Sequence, residues 1–235
     1  MRIKHFLTFI AFVAFVFLNV FGQERDYKLE LKDFTELKVN NPVNVEYFSS
    51  SDSAGHVYFT CNPSVAEHLM FSNRKSTLAI QLAEDYDNSV PLPTIKVYSS
   101  RLEKVENGAD STVRVVRNEN VDNFKARLIG NGSLIIDRID ATSAEISLMT
   151  GNGLIAVVSG KVFKSKLTNV GTGTIQAGGL NSVQVKAIVS GTGSIDCCAS
   201  EQLSIYGMGS GKVYYTGNPS KIHNRSMGVK ALAIE

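Results

Sequence analysis

The chain has little of what carries chemistry. It holds three cysteines and four histidines in 235 residues, and Lys plus Arg outnumber Asp plus Glu by only 24 to 22. A balance so close to neutral gives no electrostatic case for nucleic acid as a partner. His5, His56, His68 and His223 have no cysteine or histidine at the spacing a zinc site needs, so neither a metal nor any other cofactor is expected. Cys197 and Cys198 are adjacent, with Cα atoms about 3.8 Å apart, below the usual disulfide range. On a strand they face opposite sides, which places Cys197 inside and Cys198 outside.

Long apolar runs are also missing, with one exception. Residues 6–18 are apolar apart from Thr8, and at 13 residues the run is short for a bilayer span. Arg2, Lys4 and His5 precede it, and Val20 and Gly22 suit the positions before a cleavage site. The pattern predicts a signal peptide over 1–22, with an uncleaved anchor as the alternative. No cysteine follows the run, which argues against lipid attachment. Cleavage before Gln23 removes Arg2 and Lys4, leaving 22 charges of each sign and no integral membrane segment.

What the sequence does have is a period. Gly-x-Gly occurs at 130–132, 151–153, 171–173, 191–193 and 209–211, in steps of 21, 20, 20 and 18 residues, with a degenerate copy at Gly108. A repeat near 20 residues with aliphatic residues after each glycine pair is the mark of a stacked solenoid. The fourth residue after each first glycine is Leu134, Ile155, Ile175, Ile195 or Val213, and the sixth is Ile136, Val157, Ala177, Cys197 or Tyr215. Between them stand Ile135, Ala156, Gln176, Asp196 and Tyr214, of no consistent polarity. Apolar residues alternating with variable ones mean strand, with the two ladders and the glycines pointing inward. The glycines answer either to a crowded corner or to a positive φ.

A second strand follows in each coil. Phe163, Ser165 and Leu167, then Val183, Val185 and Ala187, then Leu203, Ile205 and Gly207, are expected to share the interior. Lys164 and Lys166, Gln184 and Lys186, and Ser204 and Tyr206 then face outward. The architecture predicted is an all-β parallel β-helix with coils about 4.8 Å apart, so that five or six make a rod roughly 25–30 Å long.

Residues 23–105 lack the glycine period but keep short strands, at 29–31, 36–39, 43–47, 57–60, 77–82 and 94–98. Asn62 and Pro63 suit the N-cap and first position of a helical turn over 63–71. Loops rich in Ser, Asp and Asn fall at 49–55 and 84–89. The segment reads as an irregular cap on the coils of 106–235, since terminal repeats are atypical, with a separate small β domain as the alternative.

The run from Gly209 through Lys212-Val213-Tyr214-Tyr215-Thr216-Gly217-Asn218 to Pro219 closely resembles the final motif of the putative auto-transporter adhesin head GIN domain. The Gly-Thr-Gly-Thr-Ile and Gly-Thr-Gly-Ser-Ile units resemble its internal repeats, and Asp33 to Val39 followed by Val43-Asn44-Val45 its opening. The resemblance covers roughly residues 30 to 233. It implies a right-handed β-helix in exported proteins of Gram-negative bacteria, and it offers no role for Cys197-Cys198.

Enzymatic signatures are weak. No copy has the third glycine of a dinucleotide fingerprint. The positions after the glycine pairs are Ser133, Leu154, Thr174, Ser194 and Lys212, without the aspartates of calcium-binding coils. Asp196 is an outward carboxylate, but Asp137 and Asp140 lie two coils or more away. Together these features point to an exported, non-enzymatic, adhesin-like protein in the periplasm or at the cell surface. Its candidate ligand face is Lys164, Lys166, Gln184, Lys186 and Tyr206, suited to an acidic glycan or another envelope polymer. The alternatives are a polysaccharide lyase or hydrolase on the same scaffold, or a purely structural envelope protein. Sequence leaves the oligomeric state open.

Overall fold

The computed structural model describes residues 24–86 and 90–234, except for the Asn120 side chain. The expected signal peptide and the end of the 84–89 loop lie outside the described residues. The described chain is nearly all-β, with 69% of it in strands. β1 (Arg25–Glu30), β2 (Glu36–Val39), β3 (Val45–Ser49) and β4 (His56–Cys61) lead to a short α1 (Pro63–Ala66). Then come β5 (Leu69–Arg74), β6 (Thr77–Leu82), β7 (Ile95–Ser99) and β8 (Lys104–Asn107). The long strands are β9 (Thr112–Ile129), β10 (Ser133–Met149), β11 (Leu154–Gly171), β12 (Thr174–Gly191) and β13 (Ser194–Met208). β14 (Lys212–Thr216), β15 (Lys221–Met227) and β16 (Lys230–Ala233) finish the chain.

β9 to β13 pair in parallel, each bending through a corner to make most of one coil of a solenoid of about six turns. The fourth-position ladder is the spine. Leu134, Ile155, Ile175, Ile195 and Val213 are each wholly buried and stacked in register, and Val113 and Val45 continue the column towards the N-terminus. Each such side chain contributes about 1.5–3 kcal/mol on burial. Fixing each residue's backbone costs about 1–2 kcal/mol, so a coil needs its neighbours. Both explanations for the glycines hold: Gly191 has φ +118°, whereas a Cβ on Gly193 would lie 2.6 Å from the carbonyl oxygen of Gly173. The early copy is offset by one. Ser133 pairs with Thr112, so the coil begins at Ala109 rather than Gly108, and Ser111 stands where later coils have their second glycine.

Two expectations for the second strand fail. Phe163 is 49% exposed and Val183 only half-buried, while Val162 and Ser182 take the inside. At this corner Phe163 and Lys164 both point outward, which resets the alternation before Ser165. The last long coil is also two residues out of step with equal offsets from the glycines. Gly178, Gly179 and Leu180 bulge between the pairs Ala177–Cys197 and Asn181–Cys198, and one residue of β13 is gained back before Gln202. Leu203, Ile205 and Gly207 therefore stack on Val185, Ala187 and Val189.

At the N-terminal end β1 and β4 pair antiparallel, as do β5 and β6, and β2 and β3 join this region to the parallel stack through β8 and β9. Tyr27, Phe59 and Phe71 form a stacked aromatic row there. Asn62 caps α1 by accepting from the Ser64 amide, with Pro63 at the helix start. The helix is shorter than the 63–71 expected. From Leu69 the chain is a strand, because it turns back at Lys75 and Ser76, both with positive φ, and zips onto β6.

The C-terminal end is finished partly by polar residues, with Ile222 left 45% exposed. Ile222, Asn224 and Ser226 of β15 continue the inward columns of Leu203, Ile205 and Gly207. Asn224 Oδ1 accepts from the Ser226 amide at 3.0 Å and from its hydroxyl, so these two positions satisfy one another.

Candidate functional site

The outer face of the second strands carries side chains in rows, because parallel in-register strands place equivalent residues side by side. Lys164, Gln184 and Gln202 form one row and Lys166, Lys186 and Ser204 the next. Tyr206 stands beside Ile188 in a third row, so the register shift moves it one row away from Lys186. Lys186 nevertheless reaches it diagonally, with Nζ 4.9 Å from the ring centroid, a cation–π contact. All five sequence-derived residues, Lys164, Lys166, Gln184, Lys186 and Tyr206, line one shallow groove of about 670 Å³.

The groove also holds residues the sequence reading passed over. Glu145 is the important one: its carboxylate pairs with Lys166 Nζ at 2.5 Å and neutralises it. Glu145 occupies the same offset from Gly130 as Lys166 does from Gly151, so extending the alignment back one coil would have found it. Lys164 is different. It lies over the exposed ring of Phe163, 5.7 Å from its centroid, and pairs with no carboxylate among the described residues. The groove thus offers free ammonium groups at Lys164 and Lys186, an amide at Gln184 and an aromatic face at Tyr206, a set that suits a polar, anionic ligand.

Asp137 and Asp140 are each held by an arginine, and Asp196 is packed against backbone. Asp137 accepts from Arg114 at 2.8 Å, and Asp140 joins Arg138 and Glu119 in an exposed ion-pair network. Asp196 sits between Gln176 and Tyr214, with its carboxylate against Gly178. Its Oδ1 is sealed from water without a well-placed donor, and burial raises its pKa, an effect the Gly178 and Cys197 amides only partly offset. This shift has a measurable consequence. A carboxyl whose pKa is raised in the folded protein destabilises it when ionised, and the penalty disappears as pH falls through the raised value. Asp196→Asn is expected to be more stable than the wild type at about pH 7, with the difference shrinking by about pH 4. Urea titrations at the two pH values test this; a constant difference would mean that Asp196 is solvated.

Cys197 is buried, its thiol pushed up to about 12, while Cys198 is half-buried with Sγ 3.6 Å from Asn181 Oδ1. All three cysteines are free thiols, Cys61 among them. His56 lies 3.4 Å from Glu30, His68 lies 3.8 Å from Asp85, and His223 is exposed on β15. Among the described residues no three or more His, Cys, Asp and Glu side chains come together as a metal site. No described helix is long and apolar enough to cross a membrane.

Several solved structures share this fold. A putative adhesin from Bacteroides fragilis superposes with a TM-score of 0.82 at 20% identity, over 90% of this chain and 96% of that one. A putative adhesin from Parabacteroides merdae gives 0.74 at 16% identity, over 92% and 98%. A protein from Parabacteroides distasonis described as a putative lipid binding protein gives 0.66 at 17%, over 90% and 98%. No curated protein matches the chain. None of these descriptions gives a catalytic activity. The family model for the putative auto-transporter adhesin, head GIN domain, matches residues 33–219, from Asp33 just before β2 to Pro219 after the last glycine pair, and the chain belongs to that family.

Proposed function

We propose that this protein is an exported, non-enzymatic binding module that holds an acidic glycan or another envelope polymer at the cell surface or in the periplasm. The observation that carries this reading is the contact of Lys186 with Tyr206 in a groove shared with Lys164, Lys166 and Gln184. A sugar ring can lie on an aromatic face while its acidic substituent meets the neighbouring ammonium group. Separate weak contacts along one polymer reinforce one another, because each bound unit raises the effective concentration of the next. The adhesin descriptions of the family and of two fold neighbours agree with a binding role outside the cytoplasm.

The test is a binding titration with polygalacturonate as the acidic probe and dextran as the neutral control. Binding to polygalacturonate is expected to weaken as salt rises, since exposed charges are screened within about 8–10 Å at physiological ionic strength. The variant carrying Lys164→Ser, Lys166→Ser and Lys186→Ser is expected to bind weakly or not at all while keeping its fold. Undiminished binding by that variant would place the site elsewhere. Shortened polymer chains after incubation would instead reveal a lyase or hydrolase.

A further inference from the structure

The cationic face does not stop at β13. The next strand on this side, β15, sets Lys221 beside Gln202, His223 beside Ser204 and Arg225 beside Tyr206, and all three side chains are exposed. Each row of the groove thereby gains one more basic or ring-nitrogen residue. Tyr206 is left between Ile188 and Arg225, with Lys186 over its ring. None of Lys164, Lys186, Lys221 and Arg225 forms an ion pair among the described residues. No Asp or Glu occurs anywhere from 202 to 234.

Towards the N-terminal end the same face is salt-bridged: Lys104 pairs with Glu36, Arg127 with Glu106 and Lys166 with Glu145. Lys125 on β9 is unpaired as well among the described residues, but the other unpaired cations of the face, Lys164, Lys186, Lys221 and Arg225, lie in the C-terminal coils and run across strands. Of the two β11 lysines in the groove, Lys164 and Lys166, the second is already neutralised.

We infer that Lys221 and Arg225 of β15 are the far end of the same binding site, which forms a track for a linear polyanionic polysaccharide lying across the coils, parallel to the solenoid axis. This rests on the groove reading above and extends it. β11 and β15 are three strand spacings apart, so the track is about 14 Å long. A ligand must bridge that span to touch Lys164 and Lys221, the two ends of one row, together. The charge also selects among occupants. A second copy docking by the same face would set cations against cations, whereas a linear polyanion complements the rows of Lys164, Lys186, Lys221 and Arg225.

The experiment compares the full-length wild type with the variant carrying Lys221→Ser and Arg225→Ser, using polygalacturonate, the galacturonate monomer and phosphatidylglycerol vesicles as probes. Both positions are exposed, so the thermal midpoint is expected to stay near that of the wild type. The double variant is expected to bind polygalacturonate roughly three- to tenfold more weakly. Its affinity for the monomer should change less, because a single sugar does not reach both ends. Equal loss for monomer and polymer would overturn the track. Wild-type affinity in the double variant, with binding still abolished by the changes at 164, 166 and 186, would also overturn it while leaving the groove reading intact. No binding of polygalacturonate by the wild type would remove both readings, and binding to the vesicles alone would replace the polysaccharide with a lipid surface.

Discussion

Ile175→Asp is expected to abolish folding, whereas Gln176→Ser, one residue further on, should be nearly neutral. Ile175 has no exposed surface and is stacked between Ile155 and Ile195. An aspartate there loses the burial of an isoleucine and places a carboxylate where no donor or counter-charge can reach it. The two effects together exceed about 4 kcal/mol, a large part of the stability of a typical domain. In a solenoid the damage spreads, because each coil is stable only through its neighbours. Gln176 faces outward between Ala156 and Asp196. Serine is the informative control at that site, since a second aspartate would add like-charge repulsion against Asp196. Circular dichroism and urea titration of the two variants decide the matter. Similar losses would mean that the alternation along β12 is wrong.

The spine of the fold was legible because it repeats. One misread position among five does not hide a column of Leu, Ile, Ile, Ile and Val, and every member of it is buried. The corners were not legible, because a bulge changes the parity without leaving a mark in composition. Phe163 and Val183 look like core residues and are turned outward by an extra outward-pointing position at the bend. The two-residue deficit of the last coil is visible as a spacing of 18, but the glycines do not say where in the coil it falls. It falls at the bulge beside Gly178 and Gly179, which moved Tyr206 one row from Lys186. The β5–β6 hairpin went unseen for another reason. Its turn uses Lys75 and Ser76 at positive φ, where Asn-Gly would have announced it.

The candidate face was legible for a simpler reason, which also bounded the view. Outward residues were read as pairs within each coil, which finds Lys164, Lys166, Gln184 and Lys186. Charge compensation acts between coils. Glu145 on the preceding strand neutralises one of these lysines, and β15 supplies two further cations after a turn that carries no glycine pair. The balance of charge on a solenoid face is a property of rows, and rows require the register.

The glycine period makes its own prediction, and a large one. Gly191→Ala is expected to destabilise the protein by about 3 kcal/mol or more, although it adds a single methyl group. Gly191 has φ +118°, a region that L side chains rarely adopt, and its new Cβ would lie 2.5 Å from the carbonyl oxygen of Gly171 in the coil below. That oxygen accepts from the Thr192 amide at 3.1 Å and the Gly193 amide at 3.0 Å. Pushing it away would break the hydrogen bonds that join consecutive corners, so conformational strain and lost bonding act together. Thr192→Ala is the matched comparison. It changes an exposed side chain in the same turn, leaves the amide in place, and should shift stability by no more than about 0.5 kcal/mol. If the glycines served only for flexibility, the Gly191 variant would be neutral or slightly stabilised, because alanine reduces the entropy of the unfolded chain. The sign of the change in the urea midpoint therefore separates a corner packed against its neighbour from a loose turn.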